Sequence, residues 1–190
     1  MPELALLVLV IVAAIGFGVV NGFNDAANSV AASIGSRAIS PRNAIILAAF
    51  CNFAGAATGL EVARTIGKGI LDPDIIESLP EITAFLILIA ALAAVIIWGT
   101  IATRRGLPVS ISHSFVTGLA AAGAAVLGWG AVIWGVMQRI GISVVAAPTL
   151  GFIGGFVVMV ILLWVFRRSA PAKMRVIFSR LQWLTTAFLA

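Results

Sequence analysis

An apolar run from Leu4 to Val20 leads directly into a polar cluster, Gly22-Phe23-Asn24-Asp25-Ala26-Ala27-Asn28-Ser29. The run is close to the roughly 20 residues that cross the hydrocarbon core of a bilayer. A carboxylate at membrane depth costs about 2.5–3.5 kcal/mol on insertion scales, so it persists where it is paired, hydrated or functional. On a helix, spacing of i, i+3, i+4 and i+7 places four polar residues on one face, namely Asn21, Asn24, Asp25 and Asn28. This face predicts an ion or substrate site inside a membrane.

The composition excludes an ordinary soluble globule, because 62% of the residues are hydrophobic and 10% are charged. We predict an all-α integral membrane protein with about five transmembrane helices and one re-entrant hairpin. The single cysteine, Cys51, excludes an internal disulfide. The apolar stretches that predict full spans are 4–22, 43–60, 82–102, 116–138 and 142–166.

The basic residues predict the orientation of these spans. With the N-terminus outside, nine of the twelve Lys and Arg residues fall on the inner side, as expected for a multi-pass protein of the cell (plasma or inner) membrane. They do not form an aromatic-interleaved patch, so we expect no nucleic-acid partner. Ser40 and Pro41 predict the start of the second helix, because Ser is a favoured N-cap and Pro a favoured first residue.

A second polar cluster, Pro108-Val109-Ser110-Ile111-Ser112-His113-Ser114, follows the third predicted span. The chain from Gly106 to Gln138 has about 33 residues, too many for one span and too few for two. It therefore predicts a re-entrant hairpin at about 107–118 before a full span. Serine hydroxyls and helix N-terminal N–H groups can bind phosphate or sulfate oxygens, whereas Asn24, Asp25 and Asn28 suit a hard cation or a proton.

Other interpretations of these clusters remain open from the residues alone. The amides of Asn21 and Asn28 could hold helices together, and the chain could be a membrane scaffold or partner subunit that does not transport. An intramembrane serine hydrolase is disfavoured, because Ser112 and His113 are adjacent on one backbone and the chain has a single histidine. We therefore predict no enzyme activity.

Both clusters resemble motifs of the inorganic phosphate transporter (PiT) family. The segment 22–29 resembles its G-x-N-D-x-A-N signature, 108–113 resembles its P-x-S-x-[ST]-H hairpin, and Thr65–Ile70 resembles its lysine-bearing stretch. The resemblance implies phosphate transport coupled to Na⁺ or H⁺, with no cofactor besides the coupling ion. The site residues it implies are Asn24, Asp25 and Asn28 for the cation, with Na⁺ at Asn24 and Asp25, and Ser110, Ser112 and His113 for phosphate.

The family resemblance also implies two inverted repeats, each with one signature and one hairpin. In this sequence one of each occurs, so we expect residues 1–180 to form the first repeat and 181–190 to begin a second one. The expected partners are inorganic phosphate, the coupling ion, the lipid bilayer, and a second repeat or partner subunit; a homo-oligomer is a further option. A sulfate permease on the same framework is an alternative, because hydroxyls and backbone N–H groups serve both oxyanions.

Overall fold

The computed structural model describes residues 2–58, 69–107 and 109–189, and within these ranges the regular structure is helical. The predicted all-α fold is therefore confirmed. Among the described residues, β-type pairing is limited to one isolated antiparallel bridge between Leu71 and Val132. The helices are α1 (Pro2–Gly35), α2 (Pro41–Thr58), α3 (Pro73–Glu77), α4 (Glu81–Arg104), α5 (Ile111–Leu127), a 3-10 helix (Trp129–Ala131), α6 (Trp134–Phe166) and α7 (Pro171–Leu189).

Three of the described helices are long and apolar enough to cross a bilayer: Glu3–Gly35, Glu81–Arg104 and Trp134–Phe166. They contain the predicted spans 4–22, 82–102 and 142–166. Helix α2 covers most of the predicted span 43–60, whose last two residues lie outside the described ranges. The total of about five spans stays a prediction. Helix α2 begins at Pro41, and the Asn43 N–H donates to Ser40 Oγ at 3.4 Å, which confirms the predicted cap.

The predicted full span over 116–138 is wrong in its bounds. Helix α5 ends at Leu127 after 17 residues, Gly128 has φ +83°, and α6 begins at Trp134. A positive φ is readily adopted by glycine, so Gly128 lets the chain leave the helix inside a stretch that is apolar throughout. The hairpin at about 107–118 stays a prediction, since the structure has a turn followed by one unbroken helix there.

The chain divides into two compact units, of which the first contains residues 1–27 and 56–137. Its centre is the packing of α4 against α5, where small residues allow close contact. A Cβ atom at Gly118 would lie 3.5 Å from the Ala91 carbonyl oxygen, an ordinary contact distance. Ser110 caps α5, and Glu81 and Arg104 lie at the ends of α4 that suit their charges.

The segment before α3 closes the other end of this unit. The Asp72 N–H donates to the Ala131 carbonyl at 2.9 Å, and the Ile133 N–H donates to the Ile70 carbonyl at 3.0 Å. The Leu71 side chain lies against Gly123 of α5, where a Cβ atom would be 2.5 Å from Leu71 Cδ2. These contacts fix the segment 70–72 against the end of α5.

The second unit contains residues 28–55 and 138–190. Its small core consists of Val30, Ile39, Ala44 and Ala48. Helix α7 packs on the turn between α1 and α2, where Ser179 Oγ donates to the Ala38 carbonyl at 3.5 Å. None of the residues of α6 is buried, as expected for a helix whose apolar surface faces lipid. The predicted division at 180/181 falls inside the continuous helix α7 and stays a prediction.

Candidate functional site

The signature segment 22–29 lies within α1, which continues without a break to Gly35. The predicted helical face is therefore formed. Asn24 is buried, with 7% of its surface exposed, whereas Asp25 and Asn28 are exposed. Asn28 is the first residue of the second unit, so the contacts described here are those of the first unit.

Asn24 connects α1 to the end of α4. Its Nδ2 group donates a long hydrogen bond of 3.5 Å to Thr103 Oγ1. Its Oδ1 atom is buried and accepts no hydrogen bond from the described residues, and the same holds for Asn21 Oδ1. A buried carbonyl oxygen without a donor is costly, and amide oxygens are suitable ligands for a hard cation such as Na⁺. Two such oxygens lie on the predicted face that also carries Asp25.

Gly99 brings three helices of the first unit together. A Cβ atom at this position would lie 2.6 Å from Val20 Cγ1 of α1 and 2.8 Å from Ile111 Cδ1 of α5. The absence of a side chain is therefore what allows α1, α4 and α5 to approach at this point. Val20 directly precedes Asn21, and Ile111 directly follows Ser110. A residue close to the first polar cluster and a residue within the second, far apart in sequence, thus lie next to the same glycine.

A second contact supports this arrangement. The rings of Phe17 in α1 and Phe115 in α5 are 5.3 Å apart at their centroids and tilted by 51°. Such tilted aromatic pairs are favourable beyond the area they bury. The beginning of α5 therefore contacts α4 through Ile111 and α1 through Phe115.

The first turn of α5 carries Ser110, Ser112 and His113. Ser110 Oγ lies 2.6 Å from His113 Nδ1 and accepts a 3.4 Å hydrogen bond from the His113 backbone N–H. This contact allows either tautomer of a neutral ring: when the Ser110 hydroxyl donates to Nδ1, the ring proton is on Nε2. Ser112 is exposed, and its hydroxyl makes no hydrogen bond to the residues that the structure describes.

Two neighbouring hydroxyls are committed to the helix itself. Ser114 Oγ donates to the Ser110 carbonyl at 2.8 Å, and Thr117 Oγ1 donates to the His113 carbonyl at 2.9 Å. The donors that remain for a ligand at this helix start are the Ser112 hydroxyl and backbone N–H groups of the first turn, and in the tautomer protonated at Nε2 also His113 Nε2–H. Pro108 and the stretch from Thr65 to Lys68 lie outside the described residues.

Residues 21–189 match the sequence profile of the Phosphate transporter family. The chain belongs to this family. The resemblance drawn from the two motifs is therefore confirmed. The family is one of transporters and not a class of enzyme, and together with the three long apolar helices it makes this chain a membrane protein.

Individual family relatives agree with this assignment. A Bacillus subtilis protein named "Probable low-affinity inorganic phosphate transporter" is 37% identical over 184 residues, which are 97% of this chain and 54% of the relative. A Streptomyces halstedii protein of the same name is 39% identical over 170 residues, which are 89% of this chain and 76% of that protein. A solved structure titled "The sodium-dependent phosphate transporter" has a TM-score of 0.77 and 27% identity, covering 97% of this chain and 55% of its own. The chain thus spans about half the length of the Bacillus relative and of the solved family structure.

Sequence reasoning missed Gly99 and Thr103 as parts of this site. Thr103 lies 79 residues from its partner Asn24, and Gly99 is one glycine within an apolar span. The spacing of these two residues could have indicated them: Gly99 and Thr103 lie one helical turn apart on α4, so a glycine and a hydroxyl residue face the same side.

Proposed function

We propose that this chain forms one repeat of a cation-coupled inorganic phosphate transporter, with a site where α1 and α5 approach each other at Gly99. The observation that carries the proposal is this approach: the helix with the buried amide oxygens and the helix that begins with exposed hydroxyl groups both contact Gly99. Membership of the Phosphate transporter family and the names of the relatives support phosphate as the substrate. The relatives' greater length supports a second repeat, or a partner subunit, that completes the site.

On this proposal the cation is bound by Asn24, Asp25 and Asn28, and Asn21 Oδ1 adds one further oxygen. Carboxylate and amide oxygens are the ligand types that hard cations take. Na⁺ is the favoured coupling ion, since the solved relative is titled sodium-dependent. A proton carried by Asp25 is the alternative.

Phosphate is bound on this proposal at the start of α5, by Ser110, Ser112 and His113. The Ser112 hydroxyl and His113 Nε2–H donate to phosphate oxygens, and Ser110 orients the His113 ring through Nδ1. Backbone N–H groups of the first turn add donors, and the helix dipole favours an anion there. Neutral donors bind phosphate more weakly than the bidentate hydrogen bonds of an arginine guanidinium group do. Weaker binding suits a transported ligand, because the ligand must be released again.

The test is uptake of radioactive phosphate by cells that lack their own phosphate transporters and express the gene product that contains this chain. We expect Asp25→Asn to lower uptake at least about 10-fold, because hydrogen bonds and ligands of charged groups are worth about 1.5–3 kcal/mol. The matched control is Asp74→Asn, which removes an exposed carboxylate on α3 and should leave uptake unchanged. Cation-dependent uptake that survives Asp25→Asn would refute the assigned cation site.

Three further conditions separate the competing functions. Replacing Na⁺ by K⁺ at constant pH abolishes uptake if Na⁺ is the coupling ion, and leaves a pH-dependent uptake if a proton is. A large excess of sulfate blocks phosphate uptake only if the site is a sulfate site. Uptake equal to that of cells without the gene product would exclude transport and favour the scaffold.

The orientation is part of the same proposal: the chain lies in the cell (plasma or inner) membrane with its N-terminus outside. The nine-to-three distribution of basic residues supports it. An epitope placed before Glu3 should be cleaved by protease added to intact cells. Protection of that epitope until the cells are lysed would reverse the orientation.

A further inference from the structure

The second compact unit has an unbalanced charge. Residues 28–55 and 138–190 contain eight Lys and Arg residues and no Asp or Glu, since all seven acids of the chain precede Ile82 and lie in the first unit. The second unit therefore contains no Asp or Glu side chain to balance these positive charges. One of the eight, Arg139, lies near the start of α6, far from the other end of that helix.

Helix α7 gathers most of the remaining charges in one place. The ring of Phe178 in α7 packs edge-on against Phe166 at the end of α6, with centroids 5.5 Å apart. On the α1–α2 turn, Ser36 Oγ donates to Gln182 Oε1, and Ser179 Oγ donates to the Ala38 carbonyl. The ends of two candidate spans, α1 and α6, are therefore joined by the same helix. The arginines at these ends and on α7 are all exposed: Arg37, Arg42, Arg167, Arg168, Arg175 and Arg180.

We propose that these six arginines form a surface, the basic surface, that binds the headgroups of anionic lipids. Charge complementarity requires an anionic occupant, and the position at the ends of two membrane spans makes it the phosphate groups of the lipid leaflet. The proposal does not depend on the proposed phosphate site, whose residues at the start of α5 belong to the first unit.

The apolar surface beside these arginines fits the same occupant. Ile177, Leu181 and Leu184 follow one another at i, i+4 and i+7 on α7 and are 37%, 47% and 69% exposed. Basic residues beside an exposed apolar helix face are typical of helices that lie in the membrane interface. At the end of α6, the Arg167 guanidinium lies 5.3 Å from the centre of the Trp164 ring. This pair combines a cation–π contact with the aromatic residue type that is enriched at headgroup level.

Arg37 adds an observation from the backbone. Among the non-glycine residues that the structure describes, Arg37 alone has a positive φ, +58°. This left-handed conformation follows the end of α1 and is the position where helices commonly carry glycine. A charged residue held in a conformation that glycine would adopt without strain suggests a role for its side chain.

The experiment uses the purified chain in a neutral detergent, with thermal unfolding followed during titration with phosphatidylglycerol or phosphatidylcholine. Each basic residue near an anionic membrane surface contributes about fivefold to binding. We expect phosphatidylglycerol to raise the melting temperature more than phosphatidylcholine does. The double variant Arg167→Gln/Arg168→Gln should need roughly 25-fold more phosphatidylglycerol for the same effect.

Three control variants separate lost binding from lost folding. Arg167→Lys/Arg168→Lys keeps both charges and should respond like the unmodified chain. Arg37→Gly should weaken the response about fivefold while melting at the same or a higher temperature without lipid, because it relieves the left-handed strain. Arg139→Gln removes one charge at the other end of α6 and should leave the lipid response unchanged.

Equal stabilisation by the two lipids would overturn the proposal, as would a normal response of the double glutamine variant. Inorganic phosphate and glycerol phosphate form a separate arm of the titration. If either stabilises the chain as much as phosphatidylglycerol and the double variant abolishes that effect, the basic surface binds soluble phosphate and the lipid assignment is wrong. Asp25→Asn should respond to phosphatidylglycerol normally, so the outcome is distinct from the test of the transport site.

Discussion

Replacing Gly99 with alanine would add one methyl group where α1, α4 and α5 meet. The new Cβ atom would lie 2.6 Å from Val20 Cγ1 and 2.8 Å from Ile111 Cδ1, whereas favourable carbon contacts are about 3.5–4.0 Å long. Each contact must therefore open by roughly 1 Å. Val20 is branched at Cβ and has few χ1 choices, and Ile111 is 1% exposed, so neither side chain can move away at little cost. We expect α1 to shift relative to α4.

The matched control for this change is Gly118→Ala on α5. It lies within the same helical packing, but its Cβ atom would meet Ala91 and Val95 at 3.5 Å, an ordinary contact distance. Both substitutions gain about 0.5–1 kcal/mol because alanine favours a helix over glycine. The difference between them is therefore the cost of overpacking, about 1–3 kcal/mol. For a chain of this length it corresponds to a melting temperature lower by about 2–12 °C in Gly99→Ala than in Gly118→Ala.

Thermal unfolding in detergent and phosphate uptake in cells check this prediction together. Gly99→Ala should lower both the melting temperature and the uptake, whereas Gly118→Ala should lower neither. Adding Val20→Ala to Gly99→Ala makes room for the new methyl group and should restore part of both losses, with a coupling energy of about 0.5–3 kcal/mol in a double-mutant cycle. Equal melting temperatures for the two alanine variants would refute the close approach of these three helices.

Two further predictions follow from the donors of α5 and from its contact with residue 71. Ser112→Ala should raise the half-saturating phosphate concentration about 10-fold without changing the melting temperature, because the Ser112 hydroxyl is exposed and has no hydrogen-bond partner in the described ranges. Ser110→Ala should also raise that concentration, and it should lower the melting temperature because it removes the N-cap of α5, which is worth about 1 kcal/mol. Gly123→Ala should destabilise by about 1–3 kcal/mol, because its Cβ atom would lie 2.5 Å from Leu71 Cδ2, and Leu71→Ala in the same chain should recover part of that loss by thermal unfolding.

The parts of the fold that could be predicted from sequence are those with a local signal. The polar face of α1 is a matter of spacing along one helix, and the start of α2 is given by Ser40 and Pro41. The end of α5 was missed because hydrophobicity does not change there. Gly128 and Gly130 on either side of Trp129 were the available turn signal, and it was outweighed by the apolar residues around them.

The approach of α1, α4 and α5 at Gly99 and the hydrogen bond between Asn24 and Thr103 could not be predicted from spacing, because neither leaves a periodic pattern in the sequence. The sequence indicates which side chains have suitable chemistry, while the packing against α4 decides which helices come into contact. The same holds for the basic surface, since its arginines come from three separate segments that α7 connects.

On the proposed function, the hydrogen bond between Asn24 and Thr103 is the physical route by which cation binding affects phosphate binding. Asn24 Nδ2 is held by α4, its Oδ1 faces the proposed cation, and the same stretch of α4 supports the start of α5 through Gly99 and Ile111. Thr103→Val keeps the shape and removes the hydroxyl. We expect Na⁺ to lower the half-saturating phosphate concentration by a certain factor in the unmodified protein. At 3.5 Å the hydrogen bond is long, so in Thr103→Val this factor should be about 2- to 10-fold smaller. Because coupling between two binding sites is reciprocal, phosphate should raise the affinity for Na⁺ less by the same factor. Thr100→Val, on the same helix, is the control; if both valine variants keep the full Na⁺ effect, coupling does not pass through this contact.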